Sequence, residues 1–378
     1  VEKVIEKYNL NSDCTFNKDF ESWQMNINIP ATMKAIRFKA PGVVSCESVE
    51  TPGIGEQDVL VKVLAAGLCQ TDIHIRHDKL GAMPRDIILG HEIAGEIVAL
   101  GSQVDEWHLG DKIVVHPCWG CGVCPQCLAG RKNACQKSGQ RSVPPPTPGV
   151  STDGGMANYV AVPASSLVAI GDLNPAFAAV LADAGLAPYH SVRLTKDRLV
   201  PGTCATVIGV GGLGQFAVQM LRLLTDAHII AVDISEHALG AVATWVDLPI
   251  KADAGSAEKI LSHTKNRGVE VVIDLVGNDQ SLRLASAIVA PYGAVQVIGL
   301  SGGSIPFEAG QNSTVGLPWG ATLMKPYSGT YKDLADVIDL AQQGALVANI
   351  ETYSLENAVA AFDSLQCGQV CGRAVLIP

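Results

Sequence analysis

With 378 residues, 48% of them hydrophobic, the chain exceeds one ordinary core and divides naturally into two domains of roughly 150 to 200 residues. No run approaches the roughly 20 consecutive apolar residues of a membrane-spanning helix, so a soluble protein is expected. A formal net charge of −10 argues against nucleic acid and anionic membrane surfaces as partners, because either requires a basic face.

Residues 1–32 mix Glu and Asp with Lys, hold no arginine and lack an apolar signal region, which argues against a transit or secretory leader and for a cytoplasmic protein. They read as an extension that packs on the surface or against a neighbouring subunit. From Met33 to about Gly130 the chain shows short β-rich segments, such as Val59–Val63 and Ile113–Val115, broken by Gly and Pro turns. A β-barrel-like domain is predicted there.

Within it, Cys121, Cys124, Cys127 and Cys135 follow the spacing C-x2-C-x2-C-x7-C. Four thiolates at turn-sized spacing close a tetrahedron around one zinc and leave no open position, so this ion is structural and does no chemistry. Clustered cysteines in a large chain without a leader also point to a reducing compartment and not to a disulfide scaffold. The other six cysteines, apart from Cys69 upstream, are Cys14, Cys46, Cys118, Cys204, Cys367 and Cys371. They are expected as buried or half-buried fillers, with Cys118 near enough to the knuckle to compete for its ion. Pro144-Pro145-Pro146 reads as a stiff spacer.

After Pro188 the texture changes to alternating strands and helices. Cys204–Ile208 is a buried strand, Gly209-Val210-Gly211-Gly212-Leu213-Gly214 a turn opening an apolar helix through Leu224, and Ile229–Asp233, Val271–Leu275 and Ala294–Ile298 are further strands. Such alternation predicts an α/β doubly wound parallel sheet. Gly209, Gly211 and Gly214 between strand and helix form a dinucleotide fingerprint, and Asp233 ends the next strand nineteen residues after the last glycine. The glycines let backbone approach a pyrophosphate at a helix N-terminus. Asp233 accepts from ribose hydroxyls and repels a 2′-phosphate; at about 4 Å two unit charges repel by up to roughly 4 kcal/mol at an effective dielectric near 20, so NAD is expected over NADP. Ile234–His237 contains no Arg or Lys for the extra phosphate.

Gly90-His91-Glu92, with Gly95, Gly101 and Val104, fits GHE-x2-G-x5-G-x2-V at every fixed position. Taken with Cys69, this resembles the zinc-containing alcohol dehydrogenases of the medium-chain dehydrogenase/reductase superfamily, from about Met33 to the C-terminus. The resemblance implies a GroES-like β-barrel-type catalytic domain over 33–187 and 345–378, into which Ser151–Val162 returns, and a Rossmann NAD-binding domain over 188–344.

It further implies a catalytic zinc held by Cys69, His91 and Asp183, with Glu92 either joining transiently or serving structure alone. Asp72 would orient His91, while Thr71 would take the substrate proton and pass it through the nicotinamide ribose to His74. Gly212, Leu213, Val276 and Arg373 would join the glycines and Asp233 around NAD, Arg373 at the pyrophosphate; taken alone, Arg373 reads as a surface charge and Asp183 as a helix cap. Many relatives have cysteine where this chain has Asp183. Together with Pro188-Tyr189-His190 and Pro326–Thr330, that aspartate resembles bacterial secondary-alcohol dehydrogenases. Gln70 departs from the basic residue common beside the pyrophosphate and predicts weaker cofactor binding. Trp319 and Tyr327 are either pocket-lining or core aromatics, and Ser328 leaves room for a bulky substrate.

The implied protein is a zinc- and NAD-dependent enzyme with two zincs per chain, acting on a small alcohol or ketone. As a homo-oligomer it would be a tetramer or a dimer. A polyol or amino-alcohol dehydrogenase, or a non-catalytic NAD-binding protein, stays open at this level.

Overall fold

The computed structural model describes residues 29–79, 86–141, 143–306, 308 and 316–378. Most of the expected extension, residues 1–28 including Cys14, lies outside them.

The first half of the described chain is β-rich, as expected. An antiparallel pair, β1 (Thr32–Ala40) and β2 (Val43–Glu50), precedes the long β3 (Asp58–Leu68), which is followed by β4 (Glu92–Leu100), β5 (Lys112–Val115), β6 (Tyr159–Pro163) and β7 (Leu167–Ala169). β3 is apolar on both faces, with Val59, Val61, Ala65, Ala66 and Leu68 fully buried, so it forms the centre of a sheet and not an edge. β4 lies along one side of it.

The second sheet is built from β8 (Cys204–Ile208), β9 (His228–Asp233), β10 (Leu248–Lys251), β11 (Val269–Asp274), β12 (Val289–Val297) and β13 (Thr322–Met324). All its pairs are parallel, in the order β10-β9-β8-β11-β12-β13. Counted from β8 this is 3-2-1-4-5-6, whose switch point lies between the ends of β8 and β11. Its inner strands β8, β9 and β11 are apolar runs because both of their faces are covered. Ala205, Val207, Ile229, Ala231, Val271 and Ile273 face one helical layer, and the alternate residues Ile208, Ile230, Val232 and Val272 face the other.

β14 (Ile350–Ser354) and β15 (Arg373–Ile377) then return to the first sheet. β15 pairs with the end of β3 (Leu68 opposite Ala374), while β6 pairs with its beginning (Asp58 opposite Pro163). This register carries Arg373 beside Cys69, and on the other side of β3 it sets Gly67 opposite Glu92. Gly67 is required there, since a Cβ would fall 1.9 Å from Glu92 Oε2.

Helices Pro175–Val180 and Leu186–Thr195 lie in a core shared by both sheets, which contains Ala65, Ala94 and Val375 from the first and Ala205, Val207 and Ile273 from the second. They are joined without a break by a π turn, Leu181–Gly185. Such turns often mark functional sites, and Asp183 sits at the middle of this one. It is not the cap of the following helix, whose N-cap is Gly185. The proline run is more than a spacer: Pro145 and Pro146 carbonyls accept hydrogen bonds from the Thr147 hydroxyl at 3.0 Å and the Trp119 amide at 3.0 Å. No described helix is long and apolar enough to cross a membrane.

Candidate active site

The four-cysteine lobe is assembled as its spacing predicts. Cys121, Cys124, Cys127 and Cys135 bring their sulfurs within 4.8 Å of one another, and all four thiols are free. The Sγ atoms of Cys124 and Cys135 are 3.9 Å apart, too far for a disulfide. Cys135 Sγ accepts from the amides of Cys121 (3.3 Å) and Ser138 (3.4 Å). Burial pushes this thiol up, but hydrogen bonds from Ser138 and the surrounding backbone outweigh it and bring it down to about 5. A pre-formed thiolate among three more sulfurs fits a tetrahedral zinc. Cys118 stays out of this set: it is buried, and burial pushes its thiol up to about 12. Of the expected fillers, Cys204 is buried, whereas Cys46, Cys367 and Cys371 are exposed.

The second cluster joins Cys69, His91, Glu92 and Asp183, again within 4.8 Å. Cys69 follows β3 directly, and its amide donates to Asp72 Oδ2 at 2.9 Å in the first turn of helix Gln70–Arg76. His91 lies just before β4. Asp183 Oδ2 is 3.4 Å from Cys69 Sγ and 3.6 Å from His91 Nε2. Zinc bonds of about 2.0–2.3 Å at tetrahedral angles require ligand separations of about 3.3–3.5 Å, so these three side chains fit one ion. Both ring nitrogens of His91 are buried without a hydrogen-bond partner, and so is Asp72 Oδ1. A cation bound at Nε2 satisfies that nitrogen. Nδ1 then faces Asp72 Oδ1 at 3.6 Å, as an orienting carboxylate would stand. Burial and the Asp183 charge push the Cys69 thiol up, so it becomes a thiolate ligand only with a cation present.

Glu92 has another partner. Arg373 Nη2 donates to both its carboxylate oxygens, at 2.5 and 2.6 Å, with both residues buried. Arg373 is therefore no solvated surface charge. Its Nη1 lies 2.6 Å from where a Cβ on Gly212 would be. One guanidinium thus spans from the metal cluster to the glycine turn.

That turn meets its requirements residue by residue. Gly209 adopts φ +87°, open to glycine and strained for others, and a Cβ there would sit 2.7 Å from Val276 Cγ2 across the switch point. A Cβ on Gly214 would approach the Gly209 carbonyl to 2.1 Å, whereas one on Gly211 would meet nothing within 4 Å, leaving space for a ligand. Leu213 is the N-cap of helix Gly214–Leu224. Asp233 accepts from the amides of Val210 (2.7 Å) and Ser235 (2.8 Å), so it orders the turn.

Thr71 Oγ1 is 3.8 Å from Cys69 Sγ, and His74 lies one turn further along the same helix. Burial, Lys79 and His77 lower the His74 pKa, which favours the neutral imidazole. Gln70 is exposed at the start of that helix. Trp319 is not a core aromatic: it is 70% exposed beside the edge strand β13.

Several contacts lay beyond sequence reasoning. Pro188-Tyr189-His190 and the residues after Pro326 meet: His190 Nδ1 lies 2.8 Å from buried Asp333, which also takes Arg193 and the Thr330 hydroxyl, and Tyr189 reaches Asp336 at 3.2 Å. His116 is fully buried, Nε2 facing the Gly329 carbonyl at 3.0 Å and Nδ1 accepting from the Cys118 amide at 3.2 Å. No local spacing announces such pairs.

The alcohol dehydrogenase GroES-like domain family matches residues 55–172, and the zinc-binding dehydrogenase family matches residues 212–343. An NAD-dependent alcohol dehydrogenase of Sulfolobus acidocaldarius is 33% identical over 340 residues, 87% of this chain and 95% of that protein. The alcohol dehydrogenase of Aeropyrum pernix superposes with a TM-score of 0.83 at 28% identity, covering 92% of this chain and 100% of the other. Acetophenone reductase of Geotrichum candidum, solved in complex with NAD, gives a TM-score of 0.80 at 28% identity, covering 93% and 98%.

Proposed function

This chain belongs to the zinc-containing alcohol dehydrogenases of the medium-chain dehydrogenase/reductase superfamily, and from that premise we propose that it interconverts secondary alcohols and ketones with NAD(H). The observation that carries the reading is the cluster of Cys69, His91 and Asp183, tied through Glu92 and Arg373 to the glycine turn.

Cys69 and Asp183 supply two negative charges and His91 a neutral nitrogen, which balances one divalent ion. A zinc held by Cys69, His91 and Asp183 would supply Lewis-acid polarisation of an alcohol oxygen, and NAD, bound at the glycine turn, would supply a hydride acceptor. Thr71, beside Cys69, accepts the hydroxyl proton. His74, kept neutral by its surroundings, carries it outward. Asp72 fixes Cys69 through its amide and holds His91 in orientation. Occupation of both Glu92 oxygens by Arg373 supports a structural role for Glu92 over transient ligation, and it aims Arg373 at the pyrophosphate position beside Gly212. Gly209, Gly211, Gly212, Leu213, Gly214 and Val276 shape the cofactor cleft, with Asp233 at the ribose.

The same reading assigns two zincs per chain, one per cluster, and the domain division 33–187 with 345–378 and 188–344. Free, closely spaced thiols support a reducing compartment such as the cytoplasm. Exposed Leu323 and Met324 on edge strand β13 support pairing with a second copy, and pairs of such dimers would give a tetramer.

The test is NADH formation with matched primary and secondary alcohols, from small aliphatic to bulky cyclic, with NAD and with NADP. Faster turnover of secondary alcohols with NAD is expected. Preference for primary alcohols or polyols would overturn the substrate assignment, and silence across the panel would favour a non-catalytic NAD-binding protein.

A further inference from the structure

Residues 327–330 are gripped from four directions. Asn133, inside the seven-residue span between Cys127 and Cys135, donates from Nδ2 to the Tyr327 carbonyl at 2.9 Å. The Tyr327 hydroxyl meets Thr147 Oγ1 at 3.1 Å. His116 holds the Gly329 carbonyl, and Thr330 is bound through its amide and hydroxyl to Asp333. Gly329 is pressed against the helix that follows Asp183: a Cβ there would sit 2.4 Å from Leu186 Cδ1. Between these anchors Ser328 is forced to φ +49°, the left-handed region that a serine adopts only under constraint, and its hydroxyl is buried beside the Cys118 thiol. The Tyr327 residue is still 38% exposed, and the contact of Gly329 with Leu186 sets this loop against the helix that begins three residues after Asp183.

We propose that Asn133 is a positioning residue through which the four-cysteine lobe sets the place of Tyr327 and Ser328, and thereby the choice between small and bulky substrates. The lobe then does more than stabilise the fold. Its metal fixes the strut, the strut fixes the Tyr327 backbone, and the strained Ser328 stays where it is only while the anchors on both sides hold. Asn133 Oδ1 has no partner, so the donor at Nδ2 is the whole of the side chain's polar contribution. The substrate part of this inference rests on the proposed alcohol chemistry; the strut itself does not.

The experiment uses the full, zinc-loaded protein and Asn133→Asp, which keeps the shape and exchanges donor for acceptor, with Asn133→Ala beside it. Hydrogen exchange of the amides in 325–330 is followed by mass spectrometry, with zinc content measured in parallel. Loss of one such bond should speed exchange in that peptide by about fivefold while both zincs are retained. The ratio of kcat/KM for a bulky cyclic secondary alcohol to that for 2-propanol should shift by about the same factor, with kcat on 2-propanol changing less. Thr147→Val loosens Tyr327 from the other side and serves should the Asn133 variants fail to fold. Unchanged exchange in 325–330 overturns the strut, and altered exchange with an unchanged substrate ratio overturns its role in specificity. If exchange responds but the parent oxidises no alcohol, the catalytic reading falls, and the specificity role with it, while the strut stands.

Discussion

Arg373 and Glu92, 281 residues apart, form a buried ion pair between the metal cluster and the dinucleotide turn, with one guanidinium nitrogen shared by both carboxylate oxygens. The pair exists because β3 is flanked by β4 at Gly67 and by β15 at Leu68, which brings the two side chains together across a glycine. Removing one partner leaves a buried charge unmatched. Arg373→Leu should therefore cost about 3–5 kcal/mol in urea unfolding, and adding Glu92→Gln should recover much of the loss. A cost below about 1 kcal/mol would indicate that zinc, and not Arg373, holds Glu92.

Metal content separates the two clusters. If each cluster holds one zinc, as proposed, Asp183→Ala should lower zinc from two per chain to one and abolish alcohol oxidation, while the four-cysteine ion stays. Asp72→Asn, which alters only the group facing His91, should weaken the catalytic ion by about 10- to 100-fold. Elemental analysis after dialysis against a graded chelator reads both. Retention of two zincs by Asp183→Ala would remove that aspartate from the ligand set.

Asp233 orders its turn through two amides and, on the proposed function, also meets the cofactor ribose, so its variants should show both effects. Asp233→Ser removes the charge that repels a 2′-phosphate, so the kcat/KM ratio of NAD to NADP should fall by about 10- to 100-fold. It also releases the amides of Val210 and Ser235, so NAD itself should bind several-fold more weakly by fluorescence titration. A switch to NADP with unchanged NAD affinity would show that the turn orders itself without the carboxylate.

His116 makes stability depend on pH. Burial lowers its pKa to about 4, while the unfolded chain titrates near the ordinary value of about 6.5. Above pH 6.5 the ring is neutral in both states and its contribution is full. As pH falls towards 4 the unfolded state takes up the proton first, and up to about 3 kcal/mol is lost. His116→Gln should lose that part of the pH dependence, measured as the difference in unfolding free energy between about pH 7 and pH 4.5 for variant and parent. Equal slopes would mean that the ring titrates alike in the folded and unfolded chain.

The chemistry of this protein was legible in short stretches of chain. Cys121 to Cys135, Gly209 to Gly214 and Gly90 to Glu92 each lie within a few turns, where spacing alone dictates which atoms meet, and Asp233 is located by the period of one strand–helix–strand unit. Strand positions such as Cys204–Ile208 were readable for the same reason, since burial on both faces leaves a continuous apolar run.

Only the tertiary structure could decide which partner a side chain takes when the candidates lie far apart. Glu92 reads locally as either a transient zinc ligand or a structural residue, and only strand register reveals that it takes Arg373 as its partner. Trp319 reads as a pocket or core aromatic, yet an edge strand leaves it in solvent. Asn133 carries no local signal at all, because its meaning is the Tyr327 carbonyl, 194 residues later. Spacing along the chain fixes contacts within an element, whereas contacts between elements depend on register and packing, which arise only when the whole core closes.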